Sequence, residues 1–289
     1  MVRRIAIIGL GLIGGSMGMA LKQTKVTDLE VIGFARRAEV ASTALSIGAV
    51  DRAERTLTAA VEDANLVIIA TPAMVIREIL AEIGERLPQG CIVTDTASTK
   101  AQVIAWAQEL LPPSVAFIGG HPMAGKESFG IEAADADLFR GCVYCLIPGA
   151  NVNSEAVNVV TGLVKQIGAN PLLLDAAEHD SLVAAVSHLP LLLSAALVST
   201  TTKSPSWPQM ARLAATGFRD LTRLASGNPE MGRDICLTNK EPILHWVDKF
   251  ITELSEFRRL VSEGEGELEQ AFLRARERRE RWLQERERA

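Results

Sequence analysis

The 289-residue chain is long enough for two hydrophobic cores, since single domains usually run to about 100 to 200 residues. Apolar residues at 48% and charged residues at 22% exclude a disordered or fibrous protein. A net charge of −5 offers no concentrated positive footprint for nucleic acid, so a small-molecule partner is expected.

The first strand-like run, Arg4 to Ile8, starts so close to Met1 that no signal or transit peptide is expected ahead of it, which points to the cytoplasm. Gly9-Leu10-Gly11-Leu12-Ile13-Gly14 follows it and opens a helix. In that context the first glycine allows a tight turn, the second lets the backbone approach a pyrophosphate, and the third lets the helix lie close to the sheet. The next strand, Leu29 to Phe34, ends where an NAD-binding chain usually carries Asp or Glu for the ribose 2'-hydroxyl. Ala35-Arg36-Arg37 stands there instead, and two guanidinium groups suit a 2'-phosphate, so the expected cofactor is NADP. The plainer reading is two surface arginines at a helix start. Leu66 to Ala70 runs into Thr71-Pro72, a loop expected under the cofactor.

Cys91 to Asp95 leads into Thr96-Ala97-Ser98-Thr99-Lys100, which puts the Ser98 hydroxyl at the carboxyl edge of the sheet, where ligands bind in open α/β folds. Ser98 could equally cap the helix that follows. Val115 to Ile118 ends in Gly119-Gly120-His121-Pro122-Met123-Ala124-Gly125, which sets His121 on a strand-end loop beside the nucleotide site as a candidate general base. Val143 to Ile147 and Leu172 to Leu174 complete a set of short apolar runs without alternation, the pattern of strands buried on both faces of a mainly parallel sheet. Cys142 and Cys145 fall on opposite faces of one such strand, so the four cysteines read as reduced packing thiols and no metal site is expected.

From Asp175 onward the strand runs stop. Ala176 to Val198, Gln209 to Leu224 and Pro242 to Val261 carry apolar residues at helical spacing. The expected fold is α/β: an N-terminal Rossmann-type dinucleotide-binding domain over residues 1–175, then an all-helical domain over 176–289. No apolar stretch, Leu189 to Val198 included, reaches the roughly 18 to 20 residues of a bilayer span, so no membrane segment is expected. Ser187-His188-Leu189-Pro190 interrupts the first helical run. Arg219 and Arg223, four apart, would share a helix face and could clamp a carboxylate-rich substrate, or could instead serve a network with Asp220 and Asp234. The Glu- and Arg-rich tail from Glu263 to Ala289 reads as a solvated helix with a thin apolar stripe, of a kind that often packs along a partner subunit.

Taken in order, the glycine fingerprint with Gly15-Ser16, Thr94-Asp95 with Ser98 and Lys100, Gly120-His121-Pro122-Met123-Ala124-Gly125, Ser187-His188-Leu189-Pro190, Phe218-Arg219-Asp220-x-Thr222-Arg223 and Asn228-Pro229 resemble the prephenate/arogenate dehydrogenases. The resemblance covers nearly the whole chain and is to the monofunctional members. It implies a homodimer built by the helical half and a cyclohexadienol substrate with a ring carboxylate at C1 and a hydroxyl at C4. By the same resemblance His121 accepts the hydroxyl proton, Ser98 bonds that hydroxyl or orients His121, and Arg223 holds a substrate carboxylate with Arg219 and His188 beside it. Glu127 matches an acidic position near the pocket mouth. Two departures stand out: Leu191, where many prephenate-using relatives have a second histidine, and Gly232, where some have Trp. Both resemble the arogenate-preferring branch, so the expected reaction is oxidative decarboxylation of arogenate to tyrosine with hydride transfer to NADP. The alternatives are a prephenate dehydrogenase forming 4-hydroxyphenylpyruvate and a non-catalytic NADP-binding module. A β-hydroxyacid dehydrogenase or imine reductase would more naturally use a lysine on a helix of the second domain, and none is matched.

Overall fold

The computed structural model describes residues 2–24, 28–126, 128–150 and 152–288. The apolar runs form β1 (Arg4–Ile8), β2 (Glu30–Phe34), β3 (Arg52–Glu54), β4 (Leu66–Ile69), β5 (Ile92–Asp95), β6 (Ala116–Pro122), β7 (Val143–Pro148) and β8 (Asn170–Leu173). They make one sheet in the order β3-β2-β1-β4-β5-β6-β7-β8. Strands β3 to β6 pair in parallel across that order, while β7 is antiparallel to β6 and carries β8 parallel to itself. Chain order reverses between β1 and β4, the switch point at which doubly wound sheets open a ligand crevice. The expected Rossmann-type α/β fold is what the chain adopts.

Helices α1 (Leu12–Lys22), α2 (Ala38–Ser46), α3 (Leu57–Val61), α4 (Ala73–Ile83), α5 (Ala101–Leu110) and α6 (Ser154–Gln166) return the chain between strands. Strand alternation sends Ala6 and Ile8 into one core with the apolar sides of α3, α4 and α5, and Ile5 and Ile7 into another with α1, α2 and α6. Each fully buried Ile or Leu in these layers contributes roughly 1.5 to 3 kcal/mol. Strand β3 gave no signal in the sequence because Arg52-Ala53-Glu54 has a single small apolar residue. It is held by its register with β2, Ile32 opposite Arg52, and by Arg52 Nε donating to Glu30 Oε1 at 2.8 Å.

After β8 the chain is helical: α7 (Ala176–Val183), a π-helical turn over Ala184–His188, α8 (Leu189–Thr202), α9 (Trp207–Leu213), α10 (Thr216–Thr222), a 3₁₀ turn over Arg223–Ser226, α11 (Pro229–Thr238), α12 (Lys240–Glu263) and α13 (Glu265–Arg288). Two expectations are corrected here. Ser187-His188-Leu189-Pro190 does not break the helix, because the π turn widens the backbone just ahead of Pro190 and the chain stays helical from Ala176 to Thr202. That 27-residue run has a mean hydropathy of 2.0 in its most apolar window, so by length and composition alone it does match a bilayer span. Only 28% of the window is buried in the chain itself.

By compactness the chain divides into Met1–Pro242 and Ile243–Ala289. The second unit is the rest of α12 with α13, where Phe257 packs on Phe272 at 5.7 Å between ring centroids and Arg259 pairs with Glu256, Glu263 and Glu267. The charged tail is the helix that its composition suggests.

Candidate active site

The glycine fingerprint behaves as its chemistry requires. Gly9 sits at φ +97°, and a Cβ there would lie 2.5 Å from the Ala70 carbonyl oxygen. A Cβ on Gly14 would fall 1.9 Å from the Gly9 carbonyl oxygen, so α1 can lie against the sheet only with glycine there. At Gly11 the direction of a Cβ is empty to 4 Å, leaving backbone and open space. The first amides of α1, from Leu12, Ile13 and Gly14, lack partners within their own helix and suit an anion. These residues fit a dinucleotide pyrophosphate.

Gly9 and Gly11 line a cleft of about 990 Å³ that also takes in Phe34, Arg36, Arg37, Thr71, Pro72 and Asn228. Arg36 and Arg37 are exposed at the end of β2. The cleft adds a cation absent from the sequence argument, Arg55, from the turn after β3. Its signal was hidden because β3 itself was unreadable. Glu78 and Glu82 of α4 line another wall.

The second half of the site is a buried polar cluster where β5, β6, α5 and α7 meet. His121 belongs to β6 itself and pairs with Cys145 of β7, which corrects its expected place on a loop. The strand runs on because Gly119 and Gly120 let it pass over buried polar groups: a Cβ on Gly120 would lie 2.4 Å from the Asp95 carbonyl oxygen. Asp95, fully buried, accepts from the Ala97 amide at 2.8 Å and the Gly120 amide at 3.1 Å and pairs with the Lys100 ammonium. Lys100 Nζ also donates to the Gly120 carbonyl oxygen at 2.6 Å, which ties the residue before His121 to the top of β5. Burial lowers the Lys100 ammonium and Asp95 opposes that shift.

His121 Nδ1 lies 2.9 Å from His179 Nε2, and His179 Nδ1 lies 2.8 Å from Asp180 Oδ1. Asp180 also accepts the backbone amides of Lys100 at 2.8 Å and Ala101 at 2.9 Å. The start of α5 is therefore capped by a carboxylate eighty residues away and not by Ser98, which is half-buried beside it. Asn239 donates to the Asp180 carbonyl oxygen at 2.8 Å and lies 3.1 Å from His188 Nδ1. Since an amide nitrogen only donates, the His188 hydrogen sits on Nε2. That atom is buried with no partner of normal hydrogen-bond geometry among the described residues, although the nearby Ser98 backbone favours the protonated ring.

Burial pushes His121 well below the ordinary imidazole range, with Lys100, His179 and His188 adding to the shift, and pushes His188 down to about 4. Both are neutral at pH 7. His121 is 7% exposed, and its one side-chain hydrogen bond among the described residues is at Nδ1, which leaves Nε2 without a partner there. A neutral imidazole with one nitrogen tied and the other open can take a proton. His179, Asp180 and Asn239 were missed in the sequence for want of a local motif; only the adjacency of His179 and Asp180, both polar in an apolar helical run, hinted at them.

The remaining expected residues are more dispersed. Arg219 is exposed on α10 and faces Asp220 at 3.4 Å. The α-helix closes at Thr222 and Arg223 opens the 3₁₀ turn, so the two arginines are not on one continuous α-helix. Glu127 lies outside the described residues. Leu191 Cδ2 lies 3.9 Å from where a Cβ on Gly232 would stand, so the two departures in the sequence are neighbours in space.

The family profile for "Prephenate dehydrogenase, nucleotide-binding domain" matches residues 17–173, and that for "Prephenate dehydrogenase, dimerization domain" matches 175–275. A prephenate dehydrogenase of Bacillus subtilis is 38% identical over 267 residues, covering 91% of this chain and 71% of that protein. The crystal structure of Synechocystis arogenate dehydrogenase superposes with a TM-score of 0.81 at 30% identity, over 96% of this chain and 99% of that one. A prephenate dehydrogenase from A. aeolicus, solved with hydroxyphenyl propionate and NAD+, gives a TM-score of 0.90 at 28% identity, over 97% and 98%.

Proposed function

The chain belongs to the arogenate/prephenate dehydrogenase family of oxidoreductases, and from that premise we propose that it is an NADP-dependent arogenate dehydrogenase that forms tyrosine. The observation that carries the reaction is the His121 ring, tied at Nδ1 and open at Nε2. His121 Nε2 takes the proton of the substrate C4 hydroxyl as that carbon becomes a ketone. The bound nicotinamide supplies the hydride acceptor. The new carbonyl draws electrons from the ring, the C1 carboxylate leaves as carbon dioxide, and aromatisation makes the step effectively irreversible. Ser98, at the carboxyl edge of β5, bonds the same hydroxyl. Arg223, with Arg219, holds a substrate carboxylate, and the His188 Nε2 hydrogen is a buried donor for an oxygen of the bound molecules.

Support for NADP comes from Arg36, Arg37 and Arg55 on the cleft, with no carboxylate at the end of β2. Support for arogenate comes from Leu191 beside Gly232. A keto acid side chain losing water against that apolar wall would find no donor there, at a cost of about 1 to 3 kcal/mol. The second reading is prephenate as substrate, favoured by the name of the Bacillus subtilis relative. We divide the chain functionally into a nucleotide-binding part, 1–175, and a helical part, 176–289, that builds a cytoplasmic homodimer. The apolar residues left exposed along the long helix, Leu182 and Val186 among them, support that assembly. One assay tests the reading: arogenate or prephenate, each with NAD or NADP. We expect the highest kcat/KM for arogenate with NADP. A preference for prephenate moves the chain to the other branch, and cofactor binding without turnover of either substrate makes it a binding module.

A further inference from the structure

We propose that His179, backed by Asp180, is a positioning residue that fixes which nitrogen of His121 is bare and then takes up the positive charge that proton transfer creates. The proposal rests on His121 as the base.

The hydrogen positions follow from the partners. Two backbone amides donate to Asp180, at 2.8 and 2.9 Å, as they would to an ionised carboxylate. A carboxylate only accepts, so His179 Nδ1, 2.8 Å away, carries its hydrogen. Neutral His179 is then bare at Nε2. One hydrogen occupies the 2.9 Å gap to His121 Nδ1, and it belongs to His121. The lone pair of His121 is left at Nε2, the nitrogen with no hydrogen-bond partner among the described residues. Without His179 the imidazole could hold its hydrogen on either nitrogen, and half of the proton-accepting geometry would be lost.

The charges around the ring explain the second role. Among the described residues Lys100, Asp95, Asp180, His179 and His188 are packed about it, with the Cys145 thiol opposite on β7 pushed up by burial, and Asn239 holds His188 in its neutral form. A charge kept on His121 would sit in a buried site beside the Lys100 ammonium. When the substrate O–H bond breaks and the Nε2–H bond forms, the His121 Nδ1–H bond breaks and its hydrogen passes to His179 Nε2. His121 is neutral again, and His179 becomes an imidazolium against the Asp180 carboxylate, which stays ionised. Before proton uptake the cluster holds one carboxylate too many. Afterwards Asp95 offsets Lys100 and Asp180 offsets His179. On product release the hydrogen returns to His121 Nδ1 and the Nε2 proton leaves for solvent.

The chain has four histidines, so nitrogen-15 labelling of the full-length protein gives a readable imidazole spectrum. Long-range proton–nitrogen correlations at neutral pH should place hydrogen on Nδ1 of His121 and of His179, and none on Nε2 of His121. Hydrogen on His121 Nε2 overturns the proposal. His179→Gln keeps an acceptor for His121 but cannot hold the proton, so we expect kcat to fall roughly 10²-fold with KM little changed. The acid limb of the kcat profile should move to lower pH, because the charge that proton uptake creates can no longer pass from His121 to a second ring against Asp180. His179→Gln with the parent kcat and an unmoved acid limb overturns the charge-sharing role. His121→Asn with near-normal turnover removes the base itself, a failure distinct from one at His179, and it takes the proton step with it.

Discussion

At the scale of single residues, the roles divide by what each side chain can still do once its partners are counted. His121→Asn keeps size and a polar tip but cannot take the proton, so turnover should fall about 10²- to 10⁴-fold while NADP binding stays intact, as single-turnover kinetics and a cofactor titration would show. Arg36 and Arg37 changed together to Ala should weaken NADP far more than NAD, because only NADP brings a phosphate to them. Equal losses for the two cofactors would return both arginines to the general surface. His188 provides a pH prediction. Its folded pKa, about 4, lies below the ordinary 6.5, so the unfolded chain binds the extra proton between those values. Stability is therefore full above pH 6.5, falls as pH drops through that value, and levels off below about 4. The loss from this group is on the order of 3 kcal/mol at about 1.4 kcal/mol per pKa unit. Thermal midpoints across that range should show it, and a His188→Gln protein should lose less over the same interval.

At the scale of elements, the sequence was legible wherever one segment carries its own explanation. The turn from β1 into α1 is written in Gly9, Gly11 and Gly14, and the structure separates their duties. Gly11→Ala should fold normally, since nothing lies within 4 Å of the added carbon, yet weaken the cofactor at least about tenfold, or 1.4 kcal/mol, by filling the pyrophosphate's space. Gly14→Ala should lower the thermal midpoint itself, because its Cβ would press on the Gly9 carbonyl oxygen, and overpacking of this kind typically costs about 1 to 3 kcal/mol. If both variants bind and melt alike, the division is wrong. The parts that could not be read depend on distant segments. Strand β3 exists through its register with β2, His121 became a strand residue because β7 pairs with it, and the cap of α5, the plainer alternative for Ser98, is supplied by Asp180. None of these is encoded within a window of ten residues. The helical stretch after Asp175 was visible in its spacing, but the π turn at Ala184–His188 was not, because Pro190 reads as a stop until the widened turn is seen to accommodate it.

At the scale of the whole molecule, the proposed homodimer would cover an apolar helix that its own chain leaves largely unburied, with only 28% of its most apolar window buried. Leu182→Glu with Val186→Glu should give monomers in sedimentation at micromolar concentration, since both side chains are exposed in the single chain and each new carboxylate would have to be buried on pairing. Unchanged dimers would direct attention to another face.

The carboxylates that close the starts of two sheet helices come from outside the sheet domain. Asp180 of α7 holds the first amides of α5, and Asp234 of α11 accepts from the Met74 amide of α4 at 3.1 Å, while Thr99 and Thr238 meet at 2.8 Å between their hydroxyls. The nucleotide-binding half thus borrows its finishing pieces from the helical half. A gene cut after codon 175 would yield a polypeptide with the full sheet but with two frayed helix ends at the ligand edge and Lys100 paired to Asp95 beside an opened cavity. Hydrogen exchange on that fragment should show the amides of Lys100, Ala101 and Met74 exchanging freely, where in the intact chain they open only when most of the fold does. Swapping either half for that of a relative should carry the same penalty unless the incoming half keeps acids at the positions of Asp180 and Asp234.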